Sequence, residues 1–400
     1  MKKTTIGIIR EGKEPPDRRV PLTPVHCRQL QEAYPTLEIL VQPSSIRGYS
    51  DDEYRAEDII VQEDMTSCDV LMGVKEVPKE ELIANKKYFF FSHTIKEQPY
   101  NKKLLQTILH KNIQLIDYEC LTYPNGFRII GFGRFAGIVG AYNALIGYGK
   151  RTNLFELKSA HQCRDKSDME KQVDGLELPA VKIVLTGEGR VAGGAVETLE
   201  AMGVKRVRPH EYLSQSYDHA VYCQLGVLDY NHHKDGISTE ESHFFAHPEE
   251  YQTAFTPYLH ASDIFVSCHF WDPRAPRLFT HEEGKDCKLQ VIADISCDIG
   301  GSIPTTLEAS TIVDPFYGYN RETGEKGAPF DEDNITIMAV DNLPCELPRD
   351  SSKGFGNDLV RDVLPHLLGD DIEEIIANSS ITRGGKLTKK YNYLSDYAKD

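Results

Sequence analysis

VKIVLTGEGRVAGGAVETL, residues 181–199, decides the fold. An apolar, β-branched run ends at Gly187 and Gly189 and passes into a segment with the spacing of an amphipathic helix. Strand, glycine turn and helix in that order open a βαβ unit. Gly187 permits a tight turn, and Gly189 lets the backbone approach a pyrophosphate. The helix start at Arg190 and Val191 supplies amide donors and the positive end of a dipole. The spacing, G-x-G-x-x-x-G to Gly193, is one residue longer than the commonest fingerprint, and Ala192 stands where the third small residue is expected. The reading is a dinucleotide-binding loop; a purely structural turn is the alternative.

The strand after this helix should end on an acidic residue that binds the ribose hydroxyls. Residues 204–213 read VKRVRPHEYL, so the strand ends on Arg208, with Glu211 slightly late. An arginine there suits a 2′-phosphate, which points toward NADP, while a solvated strand end leaves NAD open.

Toward the N-terminus, TTIGII, LEILVQ, DVLMGV, YFFF and IQLID are short strands. Helix-like segments separate them: residues 23–34 with Thr23 as cap, residues 77–85 and residues 98–111. Such alternation predicts a parallel α/β sheet, whose ligands sit beyond the carboxyl ends of the strands. Arg10, Lys75, Glu76, His93 and Glu119 all follow strand ends. Residues 132–150 predict a long Gly/Ala-rich helix leading into a second domain. Residues 214–260 read as a polar insertion and the tail from 353 as helical. The fold expected is α/β with two Rossmann-like domains, parallel sheets flanked by helices. Residues 1–135 with 340–400 form the catalytic domain, residues 136–339 the dinucleotide-binding domain, and the active site lies in the interdomain cleft.

Composition removes several function classes. The 400 residues carry a net charge of −16 and no basic cluster, which excludes a nucleic-acid surface. No apolar run is long enough for a membrane helix. Nine scattered cysteines without a C-x-x-C pair argue against a disulfide framework and for a reducing cytoplasm. His232, His233 and His243 lie in a carboxylate-rich loop without convincing ligand spacing, so no metal is expected. An acidic chain with an acidic substrate needs placed arginines, and Arg19 and Arg128 are candidates. A Lys and a His can share proton transfers, with carboxylates nearby to bind an amine.

Seven stretches occur in order: RRVPLTP (18–24), GVKEVP (73–78), FFSHTIKEQ (90–98), LIDYECL (115–121), FGRFAG (132–137), ADISCDIGGSI (293–303) and DNLPCELPRDSS (341–352). Together they resemble the saccharopine dehydrogenase (lysine-forming) and lysine–2-oxoglutarate reductase family, which is related to alanine dehydrogenase and to the transhydrogenase nucleotide-binding subunit. The resemblance covers most of the chain. It implies that Lys75 and His93 are an acid–base pair, that Arg19 and Arg128 hold the oxo-acid carboxylates, and that Glu76 and Glu119 lie on the lysine side. Asp341 matches a residue near the nicotinamide. Asp298 matches an aspartate of the alanine dehydrogenase branch, whose V-G-N-M-P stands here as V-D-N-L-P.

The implied reaction interconverts saccharopine with L-lysine and 2-oxoglutarate through an imine, using NAD or NADP. Its partners are these small molecules, with no nucleic acid and no membrane, and a homo-oligomer is allowed. An alanine dehydrogenase acting on pyruvate and ammonium, and a non-catalytic dinucleotide- or lysine-sensing module, are the alternatives.

Overall fold

The computed structural model describes residues 3–12 and 16–399. The chain divides into two compact units, Met1–Phe132 with Pro348–Asp400, and Gly133–Leu347. The expected boundaries, 135/136 and 339/340, shift for a packing reason. One helix runs unbroken from Gly133 to Thr152, and Val340, Leu343 and Leu347 are buried in the same core as that helix.

The main sheet of the first unit has six strands: β1 (Thr4–Ile8), β2 (Leu37–Val41), β3 (Ile60–Val61), β4 (Val70–Met72), β5 (Lys87–Phe90) and β6 (Gln114–Asp117). Their order is β3-β2-β1-β4-β5-β6, and every pairing is parallel. This is the Rossmann strand order. Alternation along the strands feeds two cores. Val70 and Met72 face one with Leu30 and Phe355, while Leu71 faces the other with Tyr88, Leu105 and Leu115. The helix Pro24–Ala33 starts where Thr23 accepts the amide of His26 and Pro24 takes the first helical position.

Residues 77–85, expected as a helix, form turns. Only Val77 and Leu82 bury well there, which is too little apolar surface for a helical face. Side chains satisfy the backbone instead: Lys111 Nζ donates to the carbonyls of Lys79 and Leu82, and the Tyr88 hydroxyl accepts the amide of Ile83.

The second unit adds β7 (Lys182–Thr186), β8 (Lys205–Arg206), β9 (Val221–Leu225), β10 (Asn231–His233), β11 (Tyr251–Thr253), β12 (Ile264–Ser267), β13 (Val291–Asp294), β14 (Phe316–Asn320), β15 (Lys326–Gly327) and β16 (Asn334–Met338). Eight of them form one sheet in the order β15-β14-β16-β13-β12-β7-β9-β8, parallel from β16 to β8, with β14 and β15 antiparallel. β10 and β11 form a separate antiparallel ribbon.

One expectation is corrected here. Residues 214–260 are not all insertion, because β9 lies inside them, is nearly fully buried and pairs directly with the glycine-loop strand β7. Consequently β8 is the sheet edge, one strand away from β7. Within this unit the helices Gly133–Thr152 and Arg190–Ala201 cross at glycines. A Cβ on Gly137 would stand 1.8 Å from the Val191 carbonyl oxygen, and one on Gly194 would stand 1.9 Å from that of Arg134.

Candidate active site

The carboxyl ends of β1, β4, β5 and β6 lie along one edge of the first sheet and deliver the expected residues to it. Lys75 and Glu76 follow β4. His93 follows β5 and adopts φ +52°, a left-handed conformation that few residues with a side chain take up. Its Nδ1 lies 2.6 Å from Oε1 of Glu76, and both side chains are mostly buried. The carboxylate can only accept, so Nδ1 carries the ring proton and Nε2 keeps its lone pair.

Arg19 is nearly inaccessible and pairs with Asp17, Nη2 to Oδ2 at 2.5 Å and Nε to Oδ1 at 3.0 Å. Despite the cost of burial, the positive charges of Arg19 and Lys75 hold the Asp17 carboxyl down at about 2. Arg19 also stacks on the Phe132 ring at 4.1 Å, and exposed Arg128 lies 5.5 Å from the Phe91 ring. Phe91, Tyr118, Phe132 and Phe355 pack ring on ring, and His93 stacks on Phe91. This aromatic floor joins Arg19, Arg128 and His93 across about 110 residues of sequence.

Glu119 follows β6. One of its oxygens meets Lys96 Nζ at 3.3 Å, and the other is buried with no hydrogen-bond partner among the described residues, as is the Tyr118 hydroxyl. A buried carboxylate oxygen without a donor is suited to receive one from a ligand. Arg10, also expected at this edge, pairs instead with exposed Glu63.

Sequence reasoning missed two carboxylates that shape the site. Asp117, fully buried at the end of β6, accepts the amide and hydroxyl of Ser92 and the amide of Glu119. It thereby ties the loops carrying His93 and Glu119 together. Glu11 accepts the amides of Val74 at 2.6 Å and Lys75 at 2.9 Å. Burial, aided by the charge of Asp17, pushes its carboxyl up to about 8, and the two amides oppose that shift. The available signals were an acidic residue closing β6 and another three positions past β1.

In the second unit, the carboxyl ends of β7, β12, β13 and β16 form a corresponding edge. Gly187, at φ +96°, is required: a Cβ there would stand 2.9 Å from the Cys268 carbonyl oxygen. A Cβ on Gly189 would meet nothing within 4 Å, so the start of the helix Arg190–Ala201, including Val191, lies behind open backbone. A pyrophosphate fits such a cradle. The glycine that packs the helix is Gly194, not Gly193, whose Cβ would be unobstructed.

Arg208 and Glu211 stand one strand farther from the glycine loop than the usual fingerprint has them. They follow the edge strand β8, and the Glu211 carboxylate caps the Arg208 amide at 3.1 Å to start a helical turn. Acidic residues stand nearer: Glu188 is in the loop itself, and Asp229, just past β9, accepts the amide of Gly226. Asp298 and Asp341 lie past β13 and β16, and burial with the charge of Asp294 raises the Asp298 carboxyl. His269, another residue missed, joins Thr186 at 2.8 Å to Ser302 at 2.9 Å, and burial holds it neutral down to about 4.

Comparison with known proteins agrees with this architecture. Residues 7–139 match the family described as Alanine dehydrogenase/PNT, N-terminal domain, and residues 171–395 match its C-terminal domain. The chain is 31% identical to the mitochondrial alpha-aminoadipic semialdehyde synthase of Mus musculus over 98% of its own length and 48% of the relative's, so it spans about half of that protein. It is 25% identical to the saccharopine dehydrogenase [NAD(+), L-lysine-forming] of Yarrowia lipolytica, covering 90% of both chains. Among solved structures, an L-alanine dehydrogenase superposes with a TM-score of 0.67 at 15% identity, covering 99% of this chain and 100% of that one, which shows the shared fold. No helix among the described residues is long and apolar enough to cross a membrane. With both of its domain descriptions matched, the chain belongs to the alanine dehydrogenase/PNT family.

Proposed function

We propose that the chain interconverts saccharopine with L-lysine and 2-oxoglutarate, exchanging a hydride with a nicotinamide dinucleotide. One observation carries the reading. A Lys and a Glu76-paired His follow adjacent strands on one sheet edge, beside two arginines on a shared aromatic floor and a buried oxygen of Glu119 with no hydrogen-bond partner among the described residues. That set suits a substrate pair with several carboxylates and a free amine. The names of the relatives, an alpha-aminoadipic semialdehyde synthase and a lysine-forming saccharopine dehydrogenase, support it.

Gly187, Gly189, Arg190 and Val191 would hold the dinucleotide, with Asp298 and Asp341 toward its nicotinamide. The reduced nicotinamide, when bound, supplies the hydride that reduces the imine. Arg128 and Arg19 orient the oxo-acid carboxylates, Arg19 with its charge balanced by Asp17. Glu76 and Glu119 receive the lysine ammonium. In the reductive direction Lys75 takes a proton from that nitrogen, and the freed amine attacks the ketone carbon. His93 takes the next proton from that nitrogen on its Nε2 lone pair and gives it to the carbinolamine oxygen, Lys75 returns its own, and water leaves; in reverse, the same lone pair draws the proton from the water that adds. Lys75 and His93 belong to the catalytic domain and the glycine loop to the dinucleotide-binding domain.

The test follows reduced-nicotinamide absorbance with NADH and with NADPH, each against lysine plus 2-oxoglutarate and against pyruvate plus ammonium. Oxidation with the first pair is expected. Turnover only with the second would favour the alanine dehydrogenase reading, which the fold shared with L-alanine dehydrogenase keeps open. Dinucleotide binding with no turnover on either pair would leave the sensing module.

A further inference from the structure

The segment that the proposed reaction does not use is the ribbon β10–β11 with its helical turn Glu241–Ala246. We propose that it binds a zinc-type divalent transition metal through His233, His243 and Glu250. One ligand atom from each of these residues lies within 4.8 Å of the other two. His233 Nε2 is 3.3 Å, and His243 Nε2 3.7 Å, from Oε2 of Glu250. Tetrahedral ligands at about 2.0–2.1 Å from zinc stand roughly 3.3–3.4 Å apart, so these two separations are already close to those of a bound site. Two histidines and a glutamate are also a known zinc donor set that leaves a fourth position open. Here a cavity of about 320 Å³, lined by His233, Asn231, Thr239 and Tyr251, adjoins the cluster and provides room for a water or a small ligand.

The surroundings prepare His243. The Tyr251 hydroxyl donates to Thr239, so its oxygen accepts the Nδ1 proton of His243 at 3.0 Å. Nε2 of His243 is then a bare lone pair facing Glu250. Ligating histidines are oriented in this way by a partner on the other nitrogen. The backbone is equally fixed: His233 pairs with Tyr251 across the ribbon, the Lys234 amide bonds to the Glu250 carbonyl, and the Glu250 amide bonds to the His247 carbonyl.

His233 requires one rearrangement. The Asp235 amide donates to its Nδ1 at 3.1 Å, which keeps the ring proton on Nε2, pointing at Glu250. Metal entry moves that proton to Nδ1, and the Asp235 amide turns aside. The number of protons on the ring is unchanged and only the tautomer switches.

The experiment titrates the full chain, stripped by chelator, with Zn²⁺ by calorimetry and with Co²⁺ by visible absorption. One equivalent of Zn²⁺ is expected to bind, and Co²⁺ to give the intense bands of a four-coordinate site that Zn²⁺ abolishes. His243→Ala and Glu250→Gln should each weaken binding by about tenfold or more. Both side chains are partly exposed, so the variants are expected to fold, which circular dichroism checks. His219→Ala, a surface histidine paired with Asp218, should bind as the parent does. Imidazole nitrogen NMR should show the His233 proton moving from Nε2 to Nδ1. Absence of stoichiometric binding, or unchanged affinity in both His243→Ala and Glu250→Gln, overturns the proposal. Dinucleotide binding and turnover are separate readouts and test only the dehydrogenase reading.

Discussion

Nδ1 of His93 lies 2.6 Å from Oε1 of Glu76, and the contact leaves Nε2 as the ring nitrogen that Glu76 does not engage. The left-handed backbone at His93 and the stack on Phe91 hold the imidazole in that orientation. His93→Gln and Lys75→Met should each lower kcat by roughly 10²–10⁴ while dinucleotide affinity, measured by fluorescence titration, stays as in the parent. Glu76→Gln keeps an acceptor for Nδ1 and should lose less than Glu76→Ala. Parent-like turnover in both His93→Gln and Lys75→Met would remove the pair from the chemistry.

Glu11 supplies a pH signature. Its carboxyl holds its proton to about 8 in the folded chain, against an ordinary glutamate value of 4.5. Between those values the unfolded chain releases the proton and the folded chain retains it. This group's contribution to stability therefore falls as pH rises through the window. Glu11→Gln has no such proton. Its urea midpoint relative to the parent should rise from about pH 5 to about pH 8, and a difference independent of pH would show that Glu11 does not titrate there.

Asp117 carries two loops at once. Asp117→Ala removes the acceptor for the Ser92 and Glu119 amides, and each buried amide left unpaired costs about 1–3 kcal/mol. Because the same bonds set the positions of His93 and Glu119, kcat should fall together with the denaturation midpoint. Asp117→Asn, which keeps one acceptor oxygen, should recover part of both. A variant that loses stability with unchanged kcat would separate the scaffold from the site.

The parts of this molecule legible in sequence are those where local pattern and final contact coincide. The glycine turn at 187–189, the cap at Thr23 and the placement of Lys75, His93 and Glu119 after strands all follow from short stretches. What escaped depends on distant partners. β9 reads as part of a polar segment until β7 lies beside it, and its insertion between β7 and β8 moves Arg208 and Glu211 to the edge. Residues 77–85 have helix-forming composition, but Lys111 and Tyr88 satisfy their backbone from elsewhere. The convergence of Arg19, Arg128 and His93 required the aromatic floor, which no spacing encodes.

The glycine segment offers a test in which stability and binding separate. Gly194 faces the Arg134 carbonyl so closely that Gly194→Ala must force the helices Gly133–Thr152 and Arg190–Ala201 apart, and a loss of several kcal/mol is expected, in the range of about 1–3 or more for overpacking. Gly193→Ala, one residue earlier, meets nothing within 4 Å and lies inside a helix, so it should stabilise by up to about 1 kcal/mol. Gly189→Ala also meets nothing within 4 Å and sits at ordinary negative φ, so the thermal midpoint should hardly move. If the loop cradles a pyrophosphate, the new methyl occupies the space where the ligand approaches, and dinucleotide affinity should fall by tenfold or more, about 1.4 kcal/mol. Thermal denaturation and fluorescence titration on the three variants distinguish the roles. Unchanged affinity in Gly189→Ala would return the loop to a turn that only shapes the fold.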